Sequence, residues 1–271
     1  MSVINTNVSA LRAQNALTVN ARAQSTAMEQ LSTGSRINAA KDDAAGLAIG
    51  QSMTAQVRGL NQAVRNLNDG INMMQTAEGA LNETSNMLQR MRELAVQSAN
   101  GSYSTTQRSY METEFTQLST QIGKIASDTK WNDQALLAAN VTFTYQAGAS
   151  NNQTITVAVL SMDATALGLS TPVNVSLAAT ALTAIGLLDT AIGLVNTQRA
   201  TIGAGINRMN YAVDNLSNVA ANTAASRSTI MDTDYATAST QLSRTQIIQQ
   251  AATAMLAQAN QQPQSVLALL K

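Results

Sequence analysis

At 271 residues the chain is long enough for one or two domains with a sizeable buried core. Lys and Arg together number 16, as do Asp and Glu, so no net charge draws it onto nucleic acid or an anionic membrane. With neither Cys nor His, the sequence excludes disulfides, thiol nucleophiles, Ser-His-Asp and Cys-His arrangements, imidazole acid/base chemistry and the usual zinc sites.

The first residues, "MSVINTNVSALRAQNAL", lack a basic n-region followed by an apolar h-region. No apolar run is expected to approach the roughly 18 residues of a membrane span. The chain is therefore expected to be cytosolic or to leave the cell by a dedicated machine, without membrane insertion. Ile4, Val8 and Leu11 open an amphipathic helix that Leu17, Ala21, Met28 and Leu31 continue, along a thin, alanine-rich seam.

Next comes "LSTGSRINAAKDDAAGLAIG", Leu31 to Gly50. An enzymatic reading takes Asp42 and Asp43 as a catalytic or metal-binding pair and the glycines as a phosphate cradle. However, neighbouring side chains on a helix diverge by about 100°, and the glycines match neither a Walker nor a dinucleotide pattern. The stretch reads instead as a helix end at Gly34, an extended joint, and a new helix starting near Asp42.

From Met53 one seven-residue series stays apolar through Leu60, Leu67, Met74, Leu81 and Leu88 to Ala95. Val57, Val64 and Ile71 complete a seam of alternating four and three spacing, the pattern of helices packed at a shallow angle. Near residue 78 this second series turns polar and Met87, Met91 and Leu94 open a new flank, so the contact face rotates there. Asn100 and Gly101 break the helix. Ser104 with Gln107 has capping-box spacing for a second helix carrying Met111, Phe115, Leu118, Ile122 and Ile125. So short a turn requires antiparallel helices, and pairing about it sets Arg90 opposite Glu114 and Arg92 opposite Glu112, most economically as surface salt bridges.

"VTFTY" and "TITVAV" flank "QAGASNNQ" and read as a β-hairpin. The next segment, 161–177, is expected to be irregular, outward-facing and variable. A third long helix runs from Ile185 through Leu188, Ile192, Val195, Ile202, Ile206, Met209, Val213, Leu216 and Ala220 to Ile230, interrupted by Arg199 and Arg227. Its matching seam predicts antiparallel packing against the first long helix. Glycines at 59, 70, 79, 193, 203 and 205 each cost these helices about 1 kcal/mol against alanine, so the helices need partners. Ile248, Ala252, Met255 and Ala259 line a last helix. It ends in "VLALLK", whose Val266, Leu267, Leu269 and Leu270 form an apolar tip suited to packing between molecules. The fold class is mainly α: a long antiparallel helical rod, three-helix and coiled-coil-like, with a small β-hairpin region and paired terminal helices. No cofactor or metal is expected.

Three motifs, "LSTGSRINAAKDDAAGLAIG", "LQRMRELAVQSANG" and "DYATASTQLSRTQIIQQAATAMLAQANQQPQSVLALLK", resemble bacterial flagellin in order and at both ends, over residues 1–130 and 180–271. "KWNDQALLA" departs from the aromatic-Asn-Gly pattern usual after the second helix, and the middle is short, as in a flagellin with a reduced outer domain. The resemblance implies an exported structural subunit that polymerises into the extracellular flagellar filament for swimming, with no enzymatic activity. Residues 1–43 would then be the N-terminal half of an axial coiled-coil domain plus a spoke. Residues 44–179 would be the N-terminal helices and β-hairpin of the core domain, 180–232 its C-terminal helix, and 233–271 the C-terminal axial half.

The resemblance also implies partners: other copies of the chain, with or without further flagellins; an export chaperone at the C-terminal helix; the filament cap; and the hook-junction proteins. It gives Ile4, Val8, Leu11, Ile248, Met255, Val266, Leu267, Leu269 and Leu270 to axial packing. Arg90, Leu94 and Glu114 match positions recognised by the animal Toll-like receptor for flagellin, on a face also used between subunits, with Leu94 read as exposed. Two further readings are a hook-filament junction protein of the same family and, from another class, a helical signalling hairpin. The hairpin would need a membrane anchor but neither a spoke nor a β-hairpin.

Overall fold

The computed structural model describes residues 6–169 and 173–268, with the backbone alone over 262–268. It is mainly α, with a small β region. The helices are α1 Val8–Thr33, α2 Ala44–Ala99, α3 Thr105–Asp128, α4 Ala178–Met231 and α5 Tyr235–Ala268. The strands are β1 Lys130–Trp131, β2 Gln134–Ala135, β3 Val141–Gln146 and β4 Thr154–Val159. The chain divides into two compact units, Met1–Gln56 with Asn222–Lys271, and Val57–Ala221.

In the Val57–Ala221 unit the heptad series does what its period demands: Leu60, Leu67, Met74, Leu81, Leu88 and Ala95 are all buried. The rotated flank is real, since Met91 and Leu94 are buried in the same core as Met111, Phe115 and Ile122 of α3. The turn into α3 closes with the expected capping box: Gln107 N donates to Ser104 Oγ, and Ser104 N donates to Gln107 Oε1. α4 runs antiparallel to α2, with Arg92 bonded to Asp189, Arg199 beside Glu78, and Met209 against Gly70. The line buried most deeply on α4 contains smaller residues than the seam read from the sequence. Ala184, Ala191, Gln198 and Gly205 lie on it, while Ile185, Ile192 and Ile206 flank it, half-buried.

One stretch of α4 is long and apolar enough, by composition, to cross a membrane, which corrects the expectation that no run comes near that limit. Part of its apolarity is core, in Ala181, Ala184, Leu188, Ala191 and Val195; Leu182, Leu187 and Leu194 are exposed.

β3 and β4 form the expected antiparallel hairpin, Val141 facing Val159. It explains two glycines that looked like pure cost. A Cβ at Gly70 would stand 2.8 Å from the Tyr145 ring, and one at Gly205 would stand 2.8 Å from Val157, so the bare helix surface is the floor on which the hairpin lies. Before it, β1 and β2 pair through a two-residue turn in which Asn132 and Asp133 both take positive φ, 47° and 63°. Asp133 thus adopts the left-handed backbone that glycine supplies in the usual pattern.

The segment 161–177 needs correction: it is irregular where described, but not outward-facing. Met162, Leu167, Leu169 and Val175 are buried. Val175 is held at both ends of its residue, its N donating to Glu112 at 2.5 Å and its carbonyl accepting from Ser98 Oγ.

In the other unit α1 and α5 pair antiparallel. Asn7 Nδ2 donates to Ala259 O, and the buried Asn20 donates to Thr245 O, each at 2.8 Å. Ala10, Ala13, Leu17, Asn20 and Ala27 of α1 face inward, as do Ala238, Leu242, Thr245, Gln249, Ala252 and Leu256 of α5. The alanines among them let the two backbones come close along the pair. The seams read from the sequence are therefore largely the opposite face: Val8, Leu11, Ile248 and Met255 are exposed. Ile4, Leu269, Leu270 and the side chains of Val266 and Leu267 lie outside the described residues.

Candidate functional site

The Leu31–Gly50 stretch folds as a joint. Gly34 ends α1 in the left-handed conformation, φ 71°, its N–H returning to Gln30 O. The two aspartates diverge and do different work. Asp42 Oδ2 accepts from Asn38 N and Ala39 N, tying down the loop, while Asp43 Oδ1 accepts from Gly46 N and caps α2. Gly46 is bare because a Cβ would run into Asp43 and the buried Ile37.

The returning chain lies beside this joint within the same unit. Ser35 bridges Asp232, Arg36 N donates to Met231 O, and Thr233 N donates to Gly34 O. Arg36 closes its two guanidinium donors on Ile230 O, Nε at 3.2 Å and Nη2 at 2.6 Å, capping the C-terminal end of α4. Sequence reasoning missed that role. The only signal was an arginine in a non-helical stretch with no carboxylate spaced to meet it. Beyond the bridge, Asp234 starts α5 by accepting from Thr237 Oγ1 and Ala236 N. These bonds, Thr237 first, lower its carboxyl below the usual range.

A second patch surrounds Arg90 in the other unit. Its Nε meets Glu114 at 2.9 Å, as expected, and Nη1 also reaches Glu93 at 3.0 Å. Glu114 above all, then Glu93, raises the guanidinium above the ordinary arginine value. The expected partner of Arg92 was wrong. Arg92 bonds Asp189 of α4 at 2.6 Å, while Glu112 is engaged with Val175. Pairing drawn between two helices could not foresee that a third supplies the acid. Leu94, read as exposed, is 2% exposed, and its side chain belongs to the core beneath Arg90.

The third surface is the outer face of α1 and α5. Ile247, Ile248 and Met255 on α5 are exposed, as are Val8, Leu11, Val19 and Met28 on α1. These large apolar groups stand in water along the helix pair. Among the described residues no three acidic side chains gather as a metal site would require.

The N-terminal part of the chain, residues 4–142, matches the model of the bacterial flagellin N-terminal helical region, and residues 185–270 match that of the C-terminal helical region. The chain belongs to the bacterial flagellin family. It is 43% identical to a flagellin of Halalkalibacterium halodurans, over 99% of this chain and all of that one. It is 41% identical to a flagellar filament 33 kDa core protein of Treponema phagedenis, again over 99% and 100%. A crystal structure of Bacillus cereus flagellin, 33% identical, overlays 60% of this chain and 94% of its own with a TM-score of 0.49. Flagellins are structural proteins, and this short one is a subunit of the flagellar filament, an extracellular polymer of its own kind.

Proposed function

We propose that the subunit assembles through the outer face of the α1–α5 pair, residues 1–43 and 233–271 acting as the axial domain and 44–232 as the surrounding core. The observation that carries this is the exposure of Ile247 and Met255, 66% and 65%, on helices whose inner seam is already filled. Neighbouring copies supply the missing cover, and with it the burial that helices with alanine seams lack on their own. The same apolar C-terminal helix, before assembly, is the segment an export chaperone shields. The subunit reaches the filament tip through the flagellar export channel and is placed by the cap, above the hook-junction proteins.

The experiment is seeded polymerisation of the full chain against a proteolytic core spanning about residues 44–232, monitoring filament growth by light scattering and negative-stain images. Growth by the full chain and none by the core is expected; growth by the core overturns the axial role.

The Arg90–Glu114 patch is proposed as the face for the animal Toll-like receptor, shared with subunit contacts. The buried position of Leu94 makes it a support for that patch, so receptor signalling by Arg90→Asp, folded by circular dichroism, is the informative measurement. Unchanged signalling would remove the assignment.

A further inference from the structure

We infer that Asn100–Gly101 is a site of spontaneous chemical modification, at which the asparagine loses its amide and the turn between α2 and α3 comes to hold aspartate and isoaspartate. The pair is the one Asn-Gly in the sequence, and both residues are exposed. In the reaction the deprotonated backbone nitrogen of Gly101 attacks Cγ of Asn100. The new C–N bond closes a succinimide ring, the bond to the amide nitrogen breaks, and ammonia leaves with the proton. Water then opens the ring at either carbonyl, so asparagine plus water becomes aspartate or isoaspartate plus ammonia.

Three features of the turn favour this. Residue 101 has no Cβ to hinder the approach of its nitrogen. It lies past the end of α2 at Ala99, so its N–H is outside the helical ladder. Ser102 N donates to Asn100 Oδ1 at 3.1 Å, which holds the carboxamide against the next peptide and places a donor where negative charge develops on that oxygen during attack. Asp69–Gly70 offers the same ring chemistry and serves as an internal contrast. It lies inside α2, with Gly70 buried under the Tyr145 ring and its N–H committed to the helix.

Modification would not be silent. Arg108 clasps the end of α2, Nε on Ser98 O at 2.8 Å and Nη2 on Asn100 O at 3.0 Å. Isoaspartate inserts a side-chain carbon into the main chain between residues 100 and 101, displacing the turn and the start of α3. Either product adds a negative charge to a chain whose formal charges balance.

The test is to incubate the full chain at mildly alkaline pH, track acidic forms by isoelectric focusing, and map the change by fragmentation mass spectrometry that separates aspartate from isoaspartate. An acidic form should accumulate with both products at residue 100 while Asn132, Asn152 and Asp69 stay intact. Gly101→Ala, whose Cβ meets nothing within 4 Å, should abolish it without disturbing the fold. An amide at Asn100 that outlasts those at Asn132 and Asn152, or an unchanged acidic shift in Gly101→Ala, would overturn the inference. The native chain should convert at least as fast as the chain in urea; several-fold slower conversion would show that the turn protects the site.

Discussion

The two compact units both pair long antiparallel helices, but with opposite residues at the contact. The Val57–Ala221 unit puts Leu67, Leu81, Leu88, Phe115 and Leu188 inside, none more than 2% exposed, although it too leaves Leu182, Leu187 and Leu194 in water. The α1–α5 pair turns alanines, amides and three leucines, Leu17, Leu242 and Leu256, inward and leaves Met28, Ile247, Ile248 and Met255 in water. Burial drives helix pairing in both, so the difference lies in where the large side chains find cover. One unit gathers its large side chains into a continuous core, and the other leaves most of those on α1 and α5 in water.

The sharpest way to break that contrast is to charge the outer face. Ile248→Asp with Met255→Asp should raise the critical concentration for polymerisation by roughly two to four orders of magnitude, each side chain being worth about 1.5 to 3 kcal/mol when buried. The thermal midpoint of the monomer should scarcely move, because both positions are exposed in the subunit. Unaltered polymerisation would return these residues to ordinary surface. The converse experiment is Phe115→Ala in the other unit, which should cost about 3 to 5 kcal/mol in denaturant unfolding. A loss under about 1 kcal/mol would mean that this core is less tightly packed than its burial implies.

These two experiments also separate what was legible in the sequence from what was not. The core of the Val57–Ala221 unit can be read from periodicity alone, because leucine and methionine recur every seven residues and the capping box and hairpin carry their own chemistry. The α1–α5 seam misled because amphipathicity assumes that large apolar residues face inward. Here Ala10, Ala13 and Ala27 turn inward beside Leu17 while Val8 and Leu11 stay in water, and only a partner's register reveals it. Long-range pairs such as Arg36 with Ile230 O, or Arg92 with Asp189, are invisible for a related reason: nothing local in the sequence says which distant segment passes by. Buried Val175 shows the same limit in a stretch without any period.

Smaller effects probe how each unit is tied down. Arg36→Ala removes both donors to Ile230 O, and at an exposed site should cost about 1 kcal/mol. Hydrogen exchange should report it as faster opening of the Thr233 amide, whose bond to Gly34 O lies beside the lost clamp. Unchanged exchange there would make the clamp incidental. In the other unit, burial of Tyr145 beneath the hairpin pushes its phenol up to about 12. Because the folded value is raised, the stabilisation is whole below the ordinary tyrosine value of about 10 and is lost as pH rises through 12. Alkaline absorbance titration should therefore show one tyrosine ionising late, together with loss of hairpin structure, and Tyr145→Phe should remove that late step.

The smallest expected effect concerns the start of α5. Asp234 accepts from Thr237 Oγ1 and Ala236 N, and these bonds, the first most strongly, lower its carboxyl below the usual carboxylate value. A depressed folded pKa means the cap stabilises the helix fully above the unfolded carboxylate value of about 4 and loses that contribution as pH falls through the lower folded value. Acidification below that window should loosen the first turn of α5 before it disturbs the Leu-rich core, whose buried side chains are apolar. Asp234→Asn keeps an N-cap acceptor but removes the charge, so its helix start should be indifferent to acid. The measurement is the chemical shift of the Ala236 and Thr237 amides against pH in the monomer. Parallel titration of those amides in the wild type and in Asp234→Asn would show that some other group governs the joint. A midpoint below the ordinary carboxylate range in the wild type alone would place acid sensitivity at the Asp234 cap of the α1–α5 unit.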